Sequence, residues 1–394
     1  MWSRFSLLFI LFFLLVFSCN NTRVAEEAVE TFPVEKPAII CDSATAKIKS
    51  NWIDSIFTKL SNRYWFNGSV AYLEKGCLIY QESFGFANFK TKDTLNDHSA
   101  FQLASVSKMF TAMSAMILYQ EGLLDYDTDI REYLPEFPYE GITSRLLMNH
   151  RSGLSRYMSL AHEKWTNKEI PMTNQDMLDL FARYTPDPYF KPDNGFHYCN
   201  TNYALLACVV EAITDMQFAD FVKQRIFDPL EMNDSFVFHM NDDTLVSFYV
   251  ETEVMGHNYR GWRPIRARNE YLNGVTGDKG IFTSIADMVK FDQAITNNAL
   301  VADSCMQQAF TPGSPKYWKR KDNYGFGWRI KESEDSTAYH FGWWKGFRAY
   351  YIRDNENSKT LIVLTNKDKG PGSSIYWDII HDTTHQVKFI KPDM

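Results

Sequence analysis

The 394-residue chain is 45% hydrophobic and 23% charged, with a formal net charge of −7 and a pI near 5.8. That composition supplies a sizeable apolar core and excludes a disordered or fibrous chain. No Lys/Arg-rich run is interleaved with aromatics, so a surface that tracks a phosphate backbone is excluded and nucleic acid is not an expected partner.

Arg4 precedes an apolar run from Leu7 to Phe17 that closes on Ser18-Cys19. A membrane-spanning helix needs about 20 apolar residues. This shorter run, with its charged start and small-residue end, predicts a cleaved export signal over residues 1–18. Val16-Phe17-Ser18-Cys19 resembles a bacterial lipobox, which implies a lipid on the Cys19 sulfur. An ordinary signal cut elsewhere and an uncleaved anchor are the alternatives. Residues 19–45 carry Glu26, Glu27, Glu30, Glu35, Pro33 and Pro37 and read as an acidic tether. The expected location is therefore the bacterial cell envelope, periplasmic or surface, with membrane attachment through the lipid. Beyond Cys19, the cysteines at 41, 77, 199, 208 and 305 are too scattered for a disulfide framework. No CxxC or Cys/His cluster marks a metal site, so neither metal nor cofactor is expected.

From Lys47 to Tyr64, apolar residues at Ile48, Trp52, Ile53, Ile56, Phe57 and Leu60 recur at helical spacing. SVAYLE and CLIYQES then flank Lys75-Gly76 and predict a hairpin. Helical patterns follow over Met109–Tyr119, Asn174–Tyr184, Asn200–Ile213 and Phe218–Phe227. Ser284 reads as the N-cap of a helix over Ile285–Ile295, with Asp287 completing a capping-box variant. YGFGWRI, TAYHFGWW, FRAYYIRD and TLIVLTN predict strands, and a last helix is expected over Ser373–Val387. The expected fold is α+β: an antiparallel sheet built from both chain ends with flanking helices, plus an inserted, mostly helical lobe. In residues 46–394 the sheet lobe takes about 46–104 and 237–394, the helical lobe about 105–236, and a cleft between them is the expected place for a site.

Ser105 and Lys108 lie at i and i+3 at the start of an apolar helix, within reach of one another. Ser-x-x-Lys alone carries little information. Two further elements add to it: FHYCNTNYALLACVVEAI places Tyr198 and Asn200 before another apolar helix, and AYHFGWWKGFRAYYIRD places His340 and Gly342 in a strand pattern. The ordered set resembles the serine β-lactamase and penicillin-binding protein superfamily, specifically its class C-like branch, which also holds esterases, D-aminopeptidases and DD-peptidases. LLMNHRSGL, GDKGIFTSIADMVKF and NYGFGW extend the likeness, which runs from about residue 46 to the end.

The resemblance implies a β-lactamase/transpeptidase-like fold and acyl-enzyme chemistry on an ester or amide of a small molecule or peptide. Ser105 is then the nucleophile, and Lys108 and Tyr198 move its proton. Asn200 orients Lys108 and the substrate amide, and the backbone N–H groups of Ser105 and Trp343 hold the oxyanion. His340 and Gly342 bind substrate, with Gly342 allowing close backbone approach. The physical requirement agrees: a neutral hydroxyl is a weak nucleophile and needs an adjacent base. A catalytically weak envelope protein that only binds cell-wall fragments is the alternative.

His340 departs from the Lys found at that place in β-lactamases. An unperturbed His is mostly neutral above pH 7, so esterase or peptidase activity is expected ahead of efficient β-lactam hydrolysis. Lys345 is expected in solvent, and Phe341, Trp343 and Trp344 form either a pocket wall or strand packing. His150 is expected as a structural, cationic helix end, Cys199 as a buried filler, and His381 with His385 as a surface pair rather than a metal site. The second Tyr-x-Asn, at Tyr271 and Asn273, lacks a following helix start.

Overall fold

Asp42 starts the first helix by accepting the Thr45 N–H, and α1 (Ser43–Asn62) then presents fully buried Ile53 and Phe57 to the sheet. Each such side chain contributes about 1.5–3 kcal/mol of burial. This computed structural model describes residues 40–63, 65–238, 253–261, 263–315, 322–331, 333 and 337–390. The expected export signal, Cys19 and the tether up to residue 39 lie outside the described residues.

The hairpin follows as β1 (Gly68–Glu74) and β2 (Cys77–Phe84). The turn between them places both Lys75 and Gly76 at positive φ, the requirement of a tight hairpin turn. Helices α2 (Ser107–Gln120), α3 (Tyr157–Lys164), α4 (Asn174–Tyr184), α5 (Asn200–Thr214) and α6 (Ile285–Asn297) come next. The chain returns through β3 (Asn323–Tyr324), β4 (Arg329–Lys331), β5 (Thr337–Trp344), β6 (Phe347–Asp354) and β7 (Lys359–Thr365) to α7 (Ser374–Ile380). The seven strands form one antiparallel sheet in the order β3-β4-β5-β6-β7-β1-β2, so both chain ends build it as expected. The outermost described segments also meet: Ile40–Cys41 pairs with Phe389–Ile390.

Alternation along the strands assigns the two faces. Val70, Tyr72, Leu361 and Val363 pack against α1 and α7, whereas Ala71, Leu73, Ile362 and Leu364 face the side of α2, α5 and α6. The helical segments share one apolar core with that second face.

Two local expectations change. The last helix stops at Ile380 because the Asp382 carboxylate takes the N–H groups of Thr384 and His385 and the Lys49 ammonium at 2.7 Å, offering the backbone donors a non-helical partner. Ser284 does cap α6, but the Asp287 carboxylate turns away from it to accept from Asp234 N–H and the Ser235 hydroxyl.

Candidate active site

Ala104 has φ of +50°, which interrupts the helical path. Ser105 therefore sits in a single 3₁₀ turn, Ala104–Val106, and α2 begins only at Ser107. Lys108 lies one residue inside α2, and its Nζ lies 3.1 Å from Ser105 Oγ. The pair meets across the junction of the 3₁₀ turn and α2 rather than on one continuous α-helical face. Ser105 is half-buried, whereas Lys108 is fully buried.

Lys108 Nζ also donates to the Asp278 carbonyl at 2.7 Å. The loop carrying that carbonyl is held by a short strand, Ile281–Thr283, paired with Phe101–Gln102 just before the turn. The Thr111 hydroxyl donates to Gly277 O at 2.7 Å, and Ile281 N–H donates to Ser107 Oγ at 3.2 Å. Two ring faces complete the surroundings of the ammonium, Tyr198 at 5.2 Å and Tyr203 at 5.8 Å.

β4 pairs with β5 only as far as Tyr339. Among the described residues, the edge of β5 from His340 to Trp344 carries no strand partner on that side, and the Ser105 turn lies against it. A Cβ on Gly342 would stand 2.1 Å from Leu103 O and 3.0 Å from Ser105 N. Close approach does explain this glycine, but the approaching backbone is that of the Ser105 turn. Trp343 follows directly and is 66% exposed.

Tyr198 and Asn200 arrive at the N-terminus of α5 through a neutral histidine. His150 Nδ1 accepts the Cys199 N–H at 3.2 Å and the Asn202 amide at 3.1 Å. Complete burial, followed by the charges of Lys108 and Arg329, holds His150 well below the ordinary histidine value. It is structural as expected, but uncharged, because burial outweighs the helix end. Tyr198 contacts the pair through its ring, with no described hydrogen bond from its hydroxyl to Ser105 or Lys108. Asn200 Nδ2 lies 3.8 Å from Met158 Sδ and its Oδ1 is buried without a partner. Asn200 makes no described contact with Lys108. Cys199 is buried, and burial pushes its thiol up, as suits a filler rather than a nucleophile.

His340 is 1% exposed rather than open at the strand edge. The Tyr324 hydroxyl donates to its Nε2 at 2.9 Å, and its Nδ1–H donates to Phe341 O at 3.0 Å, a network that assigns the neutral tautomer. Burial first, then Arg329 and Lys108, hold its pKa well below the usual value. Arg329, which sequence reasoning missed, places a guanidinium 4.8 Å from the Tyr198 ring centroid and 5.9 Å from that of Tyr324. A fixed cation thus stands near the site, supplied by β4 rather than by position 340.

Lys345, expected in solvent, pairs with Glu270 at 3.1 Å. Phe341 is strand packing, with Tyr350 at 4.9 Å and Tyr339 at 5.0 Å. His385 leaves the last helix and stacks on Trp52 at 4.7 Å. Tyr271 and Asn273 lie in a separate 3₁₀ turn. Among the described residues no group of His, Cys, Asp and Glu has the arrangement of a metal site, and no helix is long and apolar enough to cross a membrane.

A serine hydroxyl against a buried amine, on a turn packed into an antiparallel sheet edge, defines a serine hydrolase of the β-lactamase/transpeptidase-like fold. The beta-lactamase family model matches residues 53–384, and the chain belongs to that family. A penicillin-binding protein of Bacillus subtilis (strain 168) is 34% identical over 333 residues, covering 82% of this chain and 72% of that protein. A D-aminopeptidase of Brucella canis is 28% identical over 308 residues, 76% of this chain but only 56% of that protein. The chain thus spans little more than half of the D-aminopeptidase. Among solved structures, the octameric penicillin-binding protein homologue from Pyrococcus abyssi shares the fold with a TM-score of 0.68 and 22% identity over 84% of this chain and 76% of that one. D-amino acid amidase from Ochrobactrum anthropi SV3 shares it with a TM-score of 0.64 and 24% identity over 81% and 91%.

Proposed function

We propose that the protein is an exported, lipid-anchored hydrolase that cleaves ester or amide bonds of a small-molecule or peptide substrate through an acyl-enzyme on Ser105. The observation that carries this reading is the 3.1 Å contact between Ser105 Oγ and Lys108 Nζ beside the open edge of β5. With Lys108 as the neutral amine, its extra proton lost to solvent, Ser105 Oγ bonds the carbonyl carbon as the serine proton passes to Lys108 Nζ, and the backbone N–H groups of Ser105 and Trp343 receive the oxyanion. The leaving group departs with a proton delivered by Lys108 and Tyr198. Water then adds to the acyl carbon, the bond to Ser105 breaks, and the acid leaves. Asn200 Oδ1, buried and unpartnered, is an acceptor for a substrate N–H, while Gly342 and His340 shape the edge on which the substrate lies.

His340, neutral and buried, offers a substrate carboxylate no charge, and Arg329 is a cation near the site. Peptidase or esterase activity is favoured over efficient β-lactam hydrolysis on the strength of the D-aminopeptidase similarity rather than of charge. The similarity to a D-aminopeptidase supports D-amino-acid peptides within that class. A fluorophosphonate probe tests the nucleophile directly. The full-length chain should gain the mass of one probe, mapping to the peptide that contains Ser105; an unmodified protein or a label elsewhere counts against the reading.

Export and anchoring rest on Arg4, the apolar run and Cys19. The full-length chain produced in a bacterium should incorporate labelled palmitate, and Cys19→Ser should remove the label. A mature mass that retains residues 1–18 would refute the lipid anchor.

A further inference from the structure

Asp278, Lys279 and Tyr157 form a buried ionic network directly behind Lys108, with exposures of 1%, 3% and 1%. Lys279 Nζ donates to the Tyr157 hydroxyl oxygen at 2.9 Å, to Val275 O at 2.9 Å and to Asp278 Oδ1 at 3.3 Å. The Tyr157 hydroxyl donates to Asp278 Oδ2 at 3.2 Å. An ammonium carries three protons and here finds three acceptors, so the network closes with Lys279 charged and Asp278 ionised. Buried ion pairs are weak contributors to stability because both partners lose their hydration, which leaves the presence of this one to be explained.

Its position supplies the explanation. The backbone carbonyl of the same Asp278 accepts from Lys108 at 2.7 Å, so the network grips the residue that grips Lys108. Burial pushes Lys279 down from the ordinary lysine value, Asp278 pulls it back, and the charge of Lys108 pushes it down further. The other groups are in view on both sides. Lys108 faces Ser105 on its own turn and the rings of Tyr198 and Tyr203 from α5, with His150, Cys199 and His340 in electrostatic range. Lys279 faces Tyr157 from α3, the Trp344 ring at 5.5 Å from β5, and Glu270.

We infer that Lys279 is a positioning residue for acylation: it fixes the Asp278 carbonyl against Lys108 and places a buried positive charge behind the Ser105–Lys108 pair. This rests on the proposed role of Ser105. The two charges act with opposite signs. Loss of the Lys279 cation leaves Asp278 to favour a proton on the pair, whereas loss of the Asp278 anion leaves Lys279 to oppose one.

The test is the second-order rate of fluorophosphonate labelling against pH, measured on the full-length protein and on Lys279→Met, Lys279→Arg and Asp278→Asn. Lys279→Met should move the acid limb of the profile upward by about one pH unit, and Asp278→Asn should move it downward by a similar amount, the order of effect expected when one nearby buried charge is removed. Lys279→Arg should stay near the parent. A purely structural role predicts a loss of rate that is equal at every pH, and an unmoved limb in both variants overturns the inference. Where Lys279→Met does not fold, Asp278→Asn decides alone: an acid limb that does not fall overturns it. A parent protein that is folded but unlabelled at Ser105 overturns the acyl-enzyme reading itself and this inference with it, whereas labelling with unmoved limbs overturns the inference alone.

Discussion

Ser105→Ala should lower turnover of any ester or amide substrate by a thousandfold or more, about the loss that follows removal of a nucleophile whose acyl-enzyme carries the reaction. The fold should survive. Ser105 is half-buried, its hydroxyl has one described partner in Lys108, and the turn is held by other groups: Leu103 N–H donates to Ile281 O at 2.8 Å and Val106 N–H donates to Leu103 O at 3.1 Å. Alanine keeps the Cβ and the backbone N–H that serves the oxyanion. Lys108 also keeps its Asp278 partner, so no buried charge is left without a hydrogen bond. Kinetics on a D-amino-acid p-nitroanilide, with thermal melting and circular dichroism alongside, check both halves. Undiminished hydrolysis in the variant would refute the nucleophile assignment.

Gly342→Val should damage both stability and activity. A Cβ at this position stands 2.1 Å from Leu103 O, far inside van der Waals contact, and its neighbours there are backbone atoms that cannot rotate aside. The sheet edge and the Ser105 turn must therefore part. Overpacking of this kind costs about 3 kcal/mol, which appears as a fall of several degrees in Tm. The same separation moves Trp343 N–H away from Ser105, so kcat/KM should fall by at least a hundredfold, as expected for loss of one oxyanion donor. Full activity with an unchanged Tm would show that the contact is dispensable.

Much of this arrangement was legible in the sequence, because the patterns that fix it are local. The unbroken β-branched, aromatic and aliphatic runs in SVAYLE and TLIVLTN, the Lys75-Gly76 turn and the apolar stripe of α1 each follow from neighbours a few residues apart. Ser105 and Lys108 are only three residues apart across the start of α2, so their juxtaposition was legible too. What the sequence did not disclose depends on long-range packing. Nothing near His340 indicates that Tyr324 and Arg329 will enclose it, since those residues arrive from β3 and β4. Burial then decides its charge. Lys279 offered a faint signal, a charged pair between glycines in an otherwise apolar segment, but its partner Tyr157 is 122 residues away. The early end of the last helix likewise turns on Asp382, whose partner Lys49 belongs to α1.

The order of strands has a consequence for the time course of folding. β1 lies between β2 and β7, so the hairpin of β1 and β2 borders a strand synthesised much later. Ser105 likewise emerges well before Gly342, on the edge it must abut. No nascent chain short of β5 holds the proposed site, and the closing contacts carry a large loop entropy that slows their formation. Arrival of β5, rather than emergence of Ser105, is thus the event that assembles the proposed site.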